Sequence, residues 1–238
     1  FDQLRRHPTA SRIVSRSRPW LALKARIEQR VTLAPSPLQL AGRDLLWYRV
    51  TDGDRLLQSA VSNPQRPAEE LDPFWAATWR AAQGLDRWLG NYNLRGIRLL
   101  ELGCGSGQAG VGAAYRGAQV TMTDAVGMAL LVARLNAWAI RRQIRLRRLK
   151  WGEQTLPTAN FPLIIGSDLV YDPQLFSRLD RCARQHLAPG GRLLLSEPHR
   201  HTGDHFAGWI RAAGWNTRQH DVDLEDGRVA IRIFECWR

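Results

Sequence analysis

The chain has 238 residues, 44% hydrophobic and 24% charged, with a formal net charge of +12. That is room for one α/β domain plus an extension, with an ordinary globular composition. No apolar run approaches the ~18 residues of a membrane helix, and the arginine-rich start lacks a signal peptide's apolar segment. Cys104, Cys182 and Cys236 form neither a C-x-x-C pair nor a metal spacing, and their odd number argues against a disulfide framework, so a reduced, cytoplasmic chain is expected. Lysine occurs only as Lys24 and Lys150; the arginine bias fits a GC-rich bacterial genome. A basic protein favours acidic partners, nucleic acid included, against the plainer reading of a solvated basic surface.

In chain order, residues 1–30 are basic and helical in pattern around Trp20, Leu21, Leu23 and Ile27. Residues 31–50 alternate like strands, with Pro35 and Pro37 as breakers. Residues 51–71 read as loop around Asp52-Gly53-Asp54 and Pro67. A helix is predicted over 74–89, started by Asp72-Pro73 and ended by Gly90. From there strand and helix alternate. Strands are predicted at 97–102, 119–123, 145–149, 163–166 and 192–195, then 216–222 and 229–236; helices at 108–115, 128–140, 173–187 and 205–213. This predicts a Rossmann-like, doubly wound, mostly parallel seven-stranded sheet that ends in an antiparallel hairpin. The boundaries follow: residues 1–71 an N-terminal extension, residues 72–238 the main domain.

Glu101-Leu102-Gly103-Cys104-Gly105-Ser106-Gly107 follows a predicted strand and precedes a predicted helix. Glycine lets the backbone take positive φ and lets a ligand come close. The spacing is G-x-G-x-G; with Gly110 as a last glycine, a looser dinucleotide site stays open. A carboxylate at Glu101 would repel a pyrophosphate and suits a cation, such as the ammonium of a methionine moiety. Asp124 ends the next strand, where a carboxylate can accept both ribose hydroxyls or cap a helix. Trp151 follows the third strand, where an indole can stack on an adenine or simply fill core.

These residues carry a resemblance. Glu101 to Gly107 resembles motif I of the seven-β-strand S-adenosylmethionine-dependent methyltransferases. Pro73-Phe74-Trp75-Ala76-Ala77-Thr78-Trp79 and Asp168-Leu169-Val170-Tyr171 resemble two motifs of the family-16 lysine methyltransferases. Glu197-Pro198-His199-Arg200 is similar to a D-P-G-R segment in those that act on the electron-transfer flavoprotein β subunit. The likeness spans 72–200. It implies S-adenosyl-L-methionine as cofactor, with S-adenosyl-L-homocysteine as product, and no metal. Glu101, Gly103, Gly105 and Gly107 would hold the methionine part, Asp124 the ribose, and Trp151 the adenine side. Trp79 would pack on the cofactor and Ser167 would lie under the methyl donor. Asp168 and Tyr171 would face the acceptor. The chain departs from the pattern at Arg80 (usually Pro), at Lys150 (often Asp) and at His199 (Gly in the nearest group).

The implied acceptor is a protein lysine on an acidic or lysine-presenting surface. A small molecule or RNA base is the alternative, and a non-catalytic nucleic-acid binder a third reading. RNA-base amino methylation often uses N-P-P-Y; Ser167-Asp168-Leu169-Val170-Tyr171 lacks both prolines. A lysine arrives protonated, with a reference pKa near 10.4. Asp168 is therefore expected to orient the amine first and take a proton second. His199 is the histidine nearest the predicted chemistry. Residues 125–152 are wholly free of acids and rich in arginine, a surface for an acidic protein or a phosphate backbone. The extension is expected to cover the cofactor or shape the acceptor's path.

Overall fold

The computed structural model describes residues 17–61 and 73–238. The predicted Asp72 helix start lies outside them. The N-terminal part is helix α1 (Arg18–Glu28), then a hairpin of β1 (Leu33–Leu40) and β2 (Arg43–Val50). The hairpin turns at Ala41-Gly42, both at positive φ, as a two-residue turn requires to match the strands' twist. Pro35 and Pro37 do not break β1. They sit two residues apart, opposite Tyr48 and Leu46, so their missing N–H groups fall on one edge of a two-stranded sheet. The expected loop after residue 51 is instead helical: α2 spans Gly53–Val61. Asp52-Gly53-Asp54, read as a turn, forms its first turn, and Leu56 N–H bonds to Asp52 C=O.

The expected single helix over 74–89 is not formed either. Pro73–Ala76 is a 3-10 turn, and α3 begins only at Arg80, running to Leu89. Between them Trp79 is extended, and its indole N–H donates to Phe74 C=O at 3.0 Å. The break turns an aromatic segment out of the helix and across the sheet's end.

The main sheet is built from β3 (Arg98–Leu102), β4 (Gln119–Asp124), β5 (Ile144–Arg148), β6 (Phe161–Ser167), β7 (Leu187–Glu197), β8 (Asn216–Val222) and β9 (Ile231–Trp237). Its order is β5-β4-β3-β6-β7-β9-β8. β3 to β7 pair in parallel; β9 runs antiparallel between β7 and β8. The order reverses between β3 and β6, so a crevice opens at their carboxyl ends. Helices α4 (Gln108–Tyr115), α5 (Gly127–Asn136), α6 (Phe176–His186) and α7 (His201–Ala212) complete the two outer layers.

Residues of β3 alternate between the layers. Leu99 packs in the core beneath α3 and α4, while Leu100 and Leu102 pack beneath α6 and α7. The α-helix predicted to Ile140 stops at Asn136 and gives way to a 3-10 helix, Trp138–Gln143; the Asn136 amide bonds the Tyr48 backbone N–H and C=O. Trp20, Ile27 and Tyr48 pack against Val132 and Leu135 of α5, seating the extension there. Arg145 and Arg147 stand exposed on β5, an edge strand, where charge discourages further strand pairing.

Candidate active site

A cavity of about 360 Å³ opens at the carboxyl ends of β3, β4, β5 and β6. Its floor is the turn Gly103–Ser106. Gly103 and Gly105 have φ of +57° and +51°, a region costly for residues with a Cβ. A Cβ on Gly105 would come within 3.1 Å of Trp75 C=O, so the 3-10 segment lies close over the turn.

Asp124, at the end of β4, is 7% exposed and lines the cavity. Its Oδ2 accepts from Gly105 N–H at 2.8 Å and its Oδ1 from Val126 N–H at 2.9 Å. It thus ties the glycine turn to the start of α5. Leu149, Lys150, Trp151 and Glu153 form the wall beyond β5. Gln108, the first residue of α4, also lines the cavity. Among the described residues its buried amide nitrogen has no hydrogen-bond partner.

The opposite end belongs to β6 and the residues after it. Ser167 ends β6; Asp168, at φ +56°, is held by its N–H donating to Ser196 C=O at 2.7 Å. The Asp168 carboxylate receives two bonds from Arg200, Nε to Oδ1 at 3.0 Å and Nη2 to Oδ2 at 2.7 Å. Trp79 and Tyr171 line the rim, and Phe74 meets both edge to face at 6.0 and 5.6 Å between centroids.

Eight of the ten residues expected at the site line this cavity: Trp79, Gly103, Gly105, Asp124, Trp151, Ser167, Asp168 and Tyr171. Glu101 and Gly107 do not. Glu101 shares the strand face of Leu99, so it points beneath α4. There it accepts Gly110 N–H at 3.1 Å, is 1% exposed, and its second oxygen has no partner among the described residues. Burial foremost, with the Asp124 charge adding to it, pushes its carboxyl up to about 8. Gly107 caps α4 at φ +95°, where a Cβ would strike the Met122 Cε at 2.5 Å. Its need for glycine is first the left-handed backbone and then the space. His199 turns outward to Asp221 at 2.9 Å. No described residue of 17–61 lines the cavity, so the extension does not cover it there. It reaches the site indirectly: Asn136, bound to Tyr48, also donates to Ser106 C=O at 3.2 Å.

Sequence reasoning passed over Gln108, which sits one residue beyond the glycine turn, and Arg200, whose segment it noted without giving the arginine a role. Among the described residues no helix is long and apolar enough to cross a membrane, and no cluster of His, Cys, Asp and Glu is placed to hold a metal.

This sheet order with a crevice over a glycine turn is the methyltransferase form of the Rossmann-like fold. The crystal structure of the glycopeptide N-methyltransferase MtfA complexed with (S)-adenosyl-L-methionine superposes with a TM-score of 0.58 at 15% identity, covering 66% of this chain and 93% of that one. At such identity the likeness is one of fold. The chain belongs to the lysine methyltransferase family, whose sequence profile matches residues 72–208. It is 34% identical to the protein N-lysine methyltransferase METTL21A of Danio rerio over 50% of this chain and 58% of that protein. It is 31% identical to the electron transfer flavoprotein beta subunit lysine methyltransferase of Xenopus laevis, over 54% of each chain. The chain thus spans little more than half the length of these two relatives. A ubiquinone biosynthesis O-methyltransferase of Xanthomonas oryzae pv. oryzae is 32% identical over 75% of this chain and 80% of that protein.

Proposed function

We propose that this chain is an S-adenosylmethionine-dependent N-methyltransferase acting on a lysine side chain of another protein. One observation carries the reading: a single cavity sets Asp124 and Asp168 around a bare glycine turn, inside the stretch that matches the lysine methyltransferase family. The volume falls in the range of small-molecule sites. The turn leaves room for a close ligand, and the unsatisfied Gln108 amide supplies a donor for one.

In this reading Gly103, Gly105 and Gln108 bind the methionine part, Asp124 the ribose hydroxyls, and Trp151 lies beside the adenine. Ser167 lies under the donor and Trp79 packs over it. Glu101 and Gly107 act from behind by fixing α4. Bound there, S-adenosylmethionine supplies an electrophilic methyl group. The chain supplies alignment, worth several orders of magnitude in effective concentration, and exclusion of water by Phe74, Trp79 and Tyr171. Desolvation at that aromatic rim favours the neutral amine. Asp168 accepts a hydrogen bond from it, and Tyr171 walls the acceptor channel.

Residues 72–238 are the catalytic unit of this reading, and residues 17–61 of the extension buttress it. The net charge of +12 suits a protein acceptor with an acidic face. Three free, buried cysteines suit the reducing cytoplasm. The long match to the O-methyltransferase favours a second reading, a small-molecule acceptor in the same cavity.

The two readings part in one assay. Tritiated-methyl S-adenosylmethionine is incubated with the protein and a lysate of cells lacking it. Label is expected in protease-sensitive precipitate, as methyllysine after hydrolysis. Label in the organic extract instead establishes the second reading; ribonuclease-sensitive label refutes both. No measurable affinity for S-adenosylmethionine refutes the whole assignment.

A further inference from the structure

The carboxylate set to meet the acceptor comes with a counter-charge. The Arg200 guanidinium grips Asp168 through two nitrogens and lies 5.7 Å from the centroid of the Trp79 ring. Such a fork-to-carboxylate pair is directional as well as ionic. Arg200 is itself positioned from behind. Its backbone N–H donates to Glu197 Oε2, and Glu197, fully buried, is paired with Arg232, which also binds Asp204. The Asp168 pair draws the Arg200 cation above its ordinary pKa, so Arg200 stays charged wherever the enzyme works.

The charges facing the cavity show why this matters. Among the described residues, Asp124, Glu153, Asp168 and Asp172 line it against Lys150 and Arg178. An acceptor lysine entering this excess of carboxylates is stabilised as an ammonium, which has no lone pair for attack. Arg200 does not line the cavity, yet it offsets the acid nearest the acceptor.

We infer that Arg200 is a positioning residue. It holds Asp168 in line to accept a hydrogen bond from the acceptor amine while cancelling the charge that would keep that amine protonated. The inference rests on the amine-acceptor reading above.

The test is the pH dependence of initial methylation rates, with tritiated S-adenosylmethionine and the protein fraction of a lysate lacking the enzyme as acceptor pool. Wild type, Arg200→Lys, Arg200→Met, Asp168→Asn and the Asp168→Asn/Arg200→Met double variant are compared. The rate rises with pH as the amine loses its proton. Arg200→Met is expected to move that midpoint up by a unit or more, a loss of about tenfold at a fixed pH below it. Arg200→Lys is expected to restore the midpoint while remaining slower. In the Asp168→Asn background the guanidinium charge still acts through space on the amine, so Arg200→Met is expected to move the midpoint there too, while costing no further amplitude because its hold on Asp168 is already gone. An unchanged midpoint in Arg200→Met, or an equal further loss of amplitude in the Asn background, overturns the inference. Cofactor affinity by calorimetry monitors folding of each variant. Absence of wild-type label in protein at every pH defeats the underlying reading instead.

Discussion

The Asp124 carboxylate accepts the N–H of Gly105 at 2.8 Å, so the acid that ends β4 is tied to the turn after β3. The proposed ribose ligand is at the same time the anchor of the proposed methionine cradle.

Asp124→Ala should therefore cost on two counts. Losing the two backbone bonds of a buried acceptor lowers stability by about 1–3 kcal/mol. Losing the ribose contacts as well should weaken S-adenosylmethionine binding by about a hundredfold, as two such hydrogen bonds imply. Titration calorimetry with a parallel melt checks both. Unchanged affinity with a lowered melt would reduce Asp124 to a structural cap.

Gly105→Ala should damage the cradle specifically. The backbone sits at φ +51° and the new methyl would stand 3.1 Å from Trp75 C=O. The strain is about 1–2 kcal/mol, and the shifted segment should lower cofactor affinity. Gly190→Ala is the control: φ is +70° there, with open space around the site. It should show the strain in the melt and none of the loss in affinity.

Glu101 sets a pH dependence. Its carboxyl is raised to about 8 in the folded protein, so the folded state holds a proton that the unfolded state releases above the ordinary carboxylate range. Stability from this group is complete below that range and is lost as pH climbs toward 8, by about 1.4 kcal/mol per unit. Glu101→Gln keeps an oxygen for Gly110 and removes the titration. Denaturant melts at pH 5.5 and 7.5 should show wild type losing about 2–3 kcal/mol more than the variant. Parallel losses would show that Glu101 is ionised throughout.

Asn136→Ala should disconnect the extension from the site. Its amide serves Tyr48 on both backbone groups and Ser106 in the glycine turn. Expected are a loss of about 1–3 kcal/mol from the orphaned backbone groups and a several-fold weaker hold on S-adenosylmethionine, although no atom of Asn136 lines the cavity. Equal affinity in variant and wild type would confine the extension to a stabilising role.

The alternation of strands and helices and most of the cavity were readable because periodicity and glycine placement are local signals. The turn Gly103–Gly107 and helix α4 fall where they were expected. What escaped was decided by side-chain orientation and individual contacts that composition and periodicity do not record. Glu101 reads as a ligand from its motif, yet strand alternation places it with Leu99, behind the turn. The helix across Trp79 is periodic enough in sequence, yet Trp79 is extended there and its indole donates to Phe74 C=O. Arg200 lies 32 residues from Asp168, and no spacing rule pairs them. The first turn of α2 hides behind residues that ordinarily reverse the chain.

The recognisable family stretch ends at residue 208, but the architecture does not. Ile231, Ile233 and Phe234 of β9 are completely buried, and Ile231 packs so tightly on α3 that a Cβ at Gly84 would overlap it. Arg80, directly after the rim residue Trp79, clasps Asp226 and Val229 C=O in the loop between β8 and β9. Evolutionary likeness and autonomous foldability therefore have different borders in this chain. A fragment cut to the homologous segment would bare one flank of its sheet and unfasten the mouth of its own cavity.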